Sequence, residues 1–197
     1  MQKIDICNMA LAQLGQAPIE SVKDQNERAR KMDLFYDAAR REVMRKHDWA
    51  FSRRAGKLAR VMIPKEENPF PMSETYAYPA DALYVVRVFA PCRSAERLPF
   101  NEFYSAALHK KCIACHVEQA HVEYAQDITD ESLFPPDFCD MLALCLASKT
   151  AMTLTGDAQL AQLAYQKYML ALDEARITNK TEEWGFMPRR SAFVEVR

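Results

Sequence analysis

The stretch PPDFCDMLALCLASKTAMTLTGDAQLAQLAYQKYMLALDEA, residues 135–175, decides the fold. Pro135 and Pro136 open it, and proline suits the first turn of a helix because the N–H it lacks would be unpaired there anyway. Phe138, Met141, Leu142, Cys145 and Met152 then recur on one side at helical spacing. Thr155, Gly156 and Asp157 break that helix, and Asp157 caps the next by offering a side-chain oxygen to its unpaired N–H groups. Leu160, Leu163, Ala164, Tyr168, Ala171, Leu172 and Ala175 give this second helix an apolar stripe broad enough for contact on two sides.

Two helices at the other end of the chain supply the partners. Ile4, Cys7, Leu11 and Leu14 lie at helical spacing and stop at Gly15, with Pro18 beyond. Asp24 with Glu27 three residues on resembles a capping box, after which Met32, Phe35, Tyr36, Ala39 and Val43 mark one face of a helix running to about His47. Its opposite face is charged, with Arg30, Asp37, Arg40 and Arg41.

Between the helix pairs the texture changes. Prolines at 64, 69, 71, 79, 91 and 99 separate short runs and argue for strands and turns over helix. Strands are predicted at 58–63, 74–78, 83–89, 111–115 and 120–125, the last two as a hairpin. The expected fold is α+β: mainly a helical bundle of two N-terminal and two C-terminal helices, with a β-rich insertion and an extended C-terminal tail. The boundaries are 1–48 and 129–181 for the helices of one bundle, 49–128 for the insertion and 182–197 for the tail.

Composition narrows the function classes. The 197 residues are 49% hydrophobic and 27% charged, a mixture that builds one ordinary folded core. Asp5 and Asn8 interrupt the first helix where a signal peptide needs an unbroken apolar run, so no export and no membrane anchor is expected. A formal charge of -1 gives no general pull toward nucleic acid. Six cysteines without an export signal read as reduced thiols, and only 4 glycines with no GxGxxG or Walker pattern leave no phosphate loop.

Four local motifs invite chemistry. Cys112-Ile113-Ala114-Cys115-His116 matches c-type haem attachment, but two cysteines three apart on a strand point to opposite faces. Zinc could be drawn from Cys112, Cys115, His109, His116 and His121, though no second pair at ligand spacing exists, since Cys139 and Cys145 are six apart on a helix. Asp127, Asp130 and Glu131 read better as helix-capping acids than as an acid-base pair, and His47 beside Asp48 has no nucleophile to serve. The basic run Arg40, Arg41, Arg45, Lys46, Arg53, Arg54 and Lys57 could meet DNA phosphates, but Glu42 and Asp48 interrupt it. No catalytic residue, cofactor or metal is assigned.

Several segments, taken in order, resemble the head-to-tail adaptor family of podoviruses, also called tail tubular protein A. Ile6-Cys7-Asn8-Met9-Ala10-Leu11-Ala12-Gln13-Leu14-Gly15 is similar to the family's opening helix, with Ile19 and Ser21 following. Phe35-Tyr36-Asp37-Ala38-Ala39-Arg40, leading to Trp49-Ala50-Phe51, resembles its second helix and the exit into the β region. Tyr76-Ala77-Tyr78-Pro79-Ala80-Asp81 is similar to a tyrosine-proline-acid turn before a strand. The passage from Tyr124 to Asp130, followed by Phe134, Phe138 and Leu142-Ala143, resembles the approach to the C-terminal helices. The Cys112 to His116 motif is not a family feature.

The resemblance implies a non-enzymatic virion protein. It would form a twelve-subunit ring below the portal, continue the DNA channel, carry the distal tail tube or nozzle protein, and reside in the host cytoplasm before assembly. It also implies that the C-terminal segment reaches onto the portal, which here means Trp184, Phe186, Met187, Arg189, Arg190, Phe193, Val194 and Arg197. Aromatic side chains that fill pockets and arginines that meet carboxylates suit such a contact. The competing readings are a soluble zinc-binding or thiol-redox module centred on Cys112 and Cys115, and a helical DNA-binding protein.

Overall fold

The computed structural model describes residues 1–64, 67–91 and 98–186, the side chains of 176–186 excepted. Among the described residues the chain is α+β, with four α-helices and two small antiparallel sheets. It divides into two compact units, one of Met1–His47 and Phe134–Arg197, the other of Asp48–Leu133.

The first unit holds the helices. α1, Lys3–Gln13, buries Ile6, Cys7, Ala10 and Leu11 and ends at Gly15, whose φ of 64° is open to glycine at no steric cost. The amides of Gly15 and Gln16 return to the carbonyls of Ala12 and Leu11, closing the helix end. α2, Glu27–Lys46, begins two residues later than the sequence suggests: Asn26 is its N-cap, and its Oδ1 accepts from Ala29 N at 2.8 Å. Asp24, expected as the cap, instead accepts from the amides of Glu20 and Ser21 in the preceding turn.

α3, Pro136–Thr155, packs against α1, α2 and α4 and buries ten residues from Phe138 to Ala151. Its length and mean hydropathy of 1.2 suffice for a membrane span, yet 56% of that window is buried against protein. Met152, expected in the core, is 55% exposed, and Ala151 takes the inward position. Gly156, with φ 67°, ends α3, and Asp157 Oδ1 accepts from Gln159 N and Leu160 N to start α4, Ala158–Phe186. Arg40 is a further departure. Expected on the charged face of α2, it is 1% exposed, with its guanidinium beside Asp37 Oδ1 at 3.4 Å and Met44 Sδ at 3.7 Å.

The second unit is two three-stranded sheets. One has the order β1-β6-β3, with β1 Arg53–Lys57, β6 His121–Gln126 and β3 Ala82–Phe89. The other has the order β2-β5-β4, with β2 Glu74–Ala77, β5 Lys110–Cys115 and β4 Phe100–Ser105. Their inner faces share a core of Leu58, Tyr76, Val85, Val88, Ile113, Cys115, Ala120 and Val122. Tyr76 ties it together: its hydroxyl donates to Val117 O at 2.5 Å and accepts from Ala120 N at 3.4 Å.

Two sequence expectations fail in this unit. Residues 111–115 and 120–125 do not form a hairpin, because β5 and β6 lie in different sheets and β5 pairs with β4 and β2. Residues 58–63 are not a strand but run irregularly beside β2, with Val61 N bonded to Thr75 O and Ala77 N to Ala59 O. β1 and β4 were not foreseen. The real hairpin is β4–β5, whose turn is clamped by Glu67: its carboxylate accepts from Ser105 Oγ at 2.7 Å and Ala107 N at 3.1 Å.

Candidate functional site

The cysteine pair is set by β5. Strand alternation puts Cys115 with Ile113 on the inner face and Cys112 with Ala114 on the other. Both sulfurs are buried. Burial pushes each thiol above its ordinary range, aided at Cys112 by the Glu67 carboxylate and at Cys115 by Glu74 and opposed there by the Val117 carbonyl contact. A thiol held neutral and covered is a poor nucleophile and a poor ligand. His116 is exposed just past the strand, His109 sits in the β4–β5 turn with φ 49°, and His121 packs on Phe89 at 5.7 Å between ring centres. Among the described residues no three His, Cys, Asp or Glu side chains gather where they could hold a metal ion.

The acidic cluster also resolves into local roles. Asp130 Oδ1 accepts from Ser132 N at 3.0 Å and Ser132 Oγ at 2.7 Å, which shapes the 3-10 turn Glu131–Leu133 and lowers the Asp130 pKa. It does not cap α3, whose N-cap is Pro135. The basic run is dispersed. Arg40 is in the core of the first unit, and Arg53 is bound by Asp48. Glu123 joins Arg53 at 3.6 Å to Arg87 at 2.5 Å, while Arg54 donates to the carbonyls of Phe51 and Arg53. These guanidinium groups are engaged by protein acceptors, which reduces what they offer to phosphate.

A polar cluster links three helices of the first unit. Glu42 on α2 accepts from Lys149 Nζ on α3 at 2.6 Å and from the Tyr168 hydroxyl on α4 at 3.4 Å. Burial opposes the charge on Lys149, but its hydrogen bond to Glu42 prevails and raises its pKa. Cys145, below this cluster, is pushed up to about 12, chiefly by burial and then by Glu42. Burial and the neighbouring Cys145 raise Tyr168 as well. This is an interhelical tie joining α2, α3 and α4.

These shifts have one sign and give an alkaline weakness. The folded Cys145 thiol ionises above the unfolded one, so its contribution is intact below the unfolded pKa of ~8.5 and is lost as the pH climbs toward about 12. Lys149, also raised, loses its contribution in the same direction. Urea unfolding should show stability falling by on the order of 2 kcal/mol between pH 8 and pH 11 from Cys145 alone. Cys145→Ala should flatten that part of the profile; parallel profiles for the two proteins would contradict the assignment.

On the surface, α4 has two unlike faces. Ala164, Tyr168 and Leu172 turn inward at four-residue steps, whereas Leu163, Tyr165 and Leu170 are exposed, Leu170 by 65%. The broad stripe expected of α4 is therefore divided, with Leu163 on the outside. Leu170 and, on α2, the 68% exposed Leu34 were not singled out from the sequence, although Leu163 and Leu170 lie one heptad apart and Ile177 and Trp184 continue that spacing.

Of the residues expected to bind the portal, Trp184 and Phe186 lie within α4, so helix replaces the extended chain expected from residue 182. Gly185 does not stop it. A mid-helix glycine costs only ~1 kcal/mol, and α4 continues through Gly185 to Phe186. Met187, Arg189, Arg190, Phe193, Val194 and Arg197 lie outside the described residues. No protein-family model matches the chain, and no curated protein matches its sequence.

Proposed function

We propose that this chain is a head-to-tail adaptor of a short-tailed phage, a structural protein of the virion and not an enzyme. Its four helices act as one bundle carrying a β-rich insertion. Twelve copies form a ring that joins the portal above to the tail tube or nozzle protein below and continues the DNA channel through which the genome leaves. It waits in the host cytoplasm until a filled head presents the portal. Contact with DNA in the channel is non-specific.

The observation that carries this reading is where the adaptor-like segments fall. Residues 6–15 make up most of α1 and its glycine stop, residues 35–40 lie in the middle of α2, and residues 76–81 end β2 and make the turn to β3. Residues 124–130 leave β6, and Phe138, Leu142 and Ala143 are buried on α3. The likeness thus falls at the positions that shape both units. Exposed apolar residues on α4 support a protein made to be covered by others. The thiol-redox and zinc alternative draws nothing from the buried Cys112 and Cys115.

If each neighbour contact is weak until a template holds all twelve, the purified chain is monomeric and becomes ring-bound only on its portal. Light scattering should give the monomer mass of 22.6 kDa for the chain alone and a portal complex enlarged by about twelve such masses after mixing. Stable dodecamers without portal would contradict templating, and no mass gain on the portal would contradict the function.

A further inference from the structure

We infer that the open edge of β4 receives an added strand, the C-terminal run Ser191 to Arg197 of a neighbouring copy. This deepens the adaptor reading and rests on it for the ring.

Among the described residues the two sheets have four edges, and three of them are closed to a further strand. β2 is covered by the irregular run beside it, through Val61 N to Thr75 O at 2.9 Å and Ala77 N to Ala59 O at 2.8 Å. β3 changes register twice along β6 and is met at Val88 by Leu98, whose N–H donates to the Val88 carbonyl. β1 carries Arg53, Arg54 and Lys57 in five residues, and such charges keep other strands away. β4 has none of these devices. Its six residues pair with β5 without a register shift, contain no proline or lysine, and hold one charge, Glu102, which Lys111 answers at 2.5 Å.

The ladder fixes which groups are left over. Tyr78 N bonds to Lys111 O, and bonding alternates along an antiparallel strand, so Lys111, Ile113 and Cys115 turn their backbone toward β2. Lys110, Cys112 and Ala114 turn theirs toward β4, where their partners are Ser105, Phe103 and Asn101. The N–H and C=O groups of Phe100, Glu102 and Tyr104 therefore point away from the sheet, and among the described residues none of them is hydrogen-bonded. Tyr104 is also 64% exposed.

An extended chain satisfies such groups by pairing with them. Ser191-Ala192-Phe193-Val194-Glu195-Val196-Arg197 alternates as a strand does, with Ala192, Val194 and Val196 on one side, and its seven residues span the six of the edge. Run antiparallel with Val194 opposite Glu102, it sets Val196 opposite Phe100 and Phe193 opposite Phe103, whose ring already meets Phe70 at 6.2 Å. A slip of one residue would instead oppose Glu195 to Glu102, two like charges. Two β4 edges paired with each other would stop at a dimer. Tail and edge are different surfaces, so their contact repeats from copy to copy and closes a ring when its rotation allows. Ordering seven residues offsets much of what one strand's hydrogen bonds contribute, which makes the contact weak without a template. Trp184 to Arg190 are left for the portal.

The test uses two full-length variants, Tyr104→Cys and Ala192→Cys, mixed at high concentration and oxidised with copper phenanthroline, with the wild-type chain as background. Paired residues of this kind have Cα atoms ~5.5 Å apart, within reach of a disulfide, and the five described native cysteines are buried. The expected product is the mixed 104–192 dimer, severalfold above either symmetric dimer. Val194→Pro in the Ala192→Cys chain removes an N–H that the pairing needs while leaving both sheets untouched, and should lower the mixed yield severalfold. Symmetric dimers through residue 104 in excess would mean that β4 pairs with β4, and these, a mixed yield no higher than background, or a yield indifferent to Val194→Pro would each overturn the inference. Electron micrographs of wild-type chain with portal rings separate the two claims: rings on the portal without the 104–192 crosslink refute only the added strand, and the crosslink without portal attachment refutes only the adaptor.

Discussion

Removing Trp184 to Arg197 is expected to leave a folded protein that no longer pellets with portal rings. α3 and α4 pack against each other across a two-residue connection, but α4 has 29 residues to the 20 of α3. At ~1.5 Å per residue α4 is roughly 13 Å the longer. The cut therefore begins twelve residues beyond Leu172, the last of Ala164, Tyr168 and Leu172, the buried residues of α4 among its described side chains. Circular dichroism and the melting temperature should barely change. Portal binding should vanish, because the deleted stretch carries the aromatic residues and arginines that dominate protein interfaces. Single substitutions grade the effect: Trp184→Ala should weaken binding by 2 kcal/mol or more, about 30-fold. Co-sedimentation of the truncated chain at wild-type level would remove the tail from the account.

Phe138→Ala is expected to be the most damaging change within the helical unit. Phe138 is completely buried near the start of α3, with its ring edge-on to Phe134 at 4.7 Å. Truncating a buried phenylalanine costs about 3–5 kcal/mol, since apolar contact is lost and the cavity closes only in part. For a chain of this size that corresponds to a fall in melting temperature of roughly 10 °C. Leu170→Ala, on the exposed side of α4, should change stability by less than ~0.5 kcal/mol. Equal losses from the two substitutions, read by urea denaturation, would contradict the assignment of core and surface.

The helices were legible because their signals are local. Gly15 and Gly156 both take a positive φ at a helix end, Pro136 stands in the first turn of α3, and the apolar periodicity of α2 matches its buried side except at Phe35 and Arg40. No local pattern marks Arg40 for burial; its long aliphatic stem lets a cation lie under α2 among apolar neighbours.

The strands were harder to read. β1 is Arg53-Arg54-Ala55-Gly56-Lys57, an edge strand whose charges discourage further pairing and also hide its apolar alternation. The pairing of β5 and β6 was misjudged because neighbours in sequence often form hairpins, whereas here the connecting residues cross from one sheet to the other and are held by the Tyr76 hydroxyl. Residue type alone marked the cysteines, histidines and acids as candidates; only their placement separates a buried thiol or a turn-shaping carboxylate from a site. The exposed face of α4 was partly visible as an overly broad stripe, but which leucines face outward depends on where α1, α2 and α3 lie.

The measurement that bears most directly on the central claim is electron microscopy of the purified chain mixed with portal rings from the virus that encodes it. The expected image is a second ring of twelve copies stacked coaxially on the portal and continuing its channel. Portal rings that remain bare at saturating protein would contradict it.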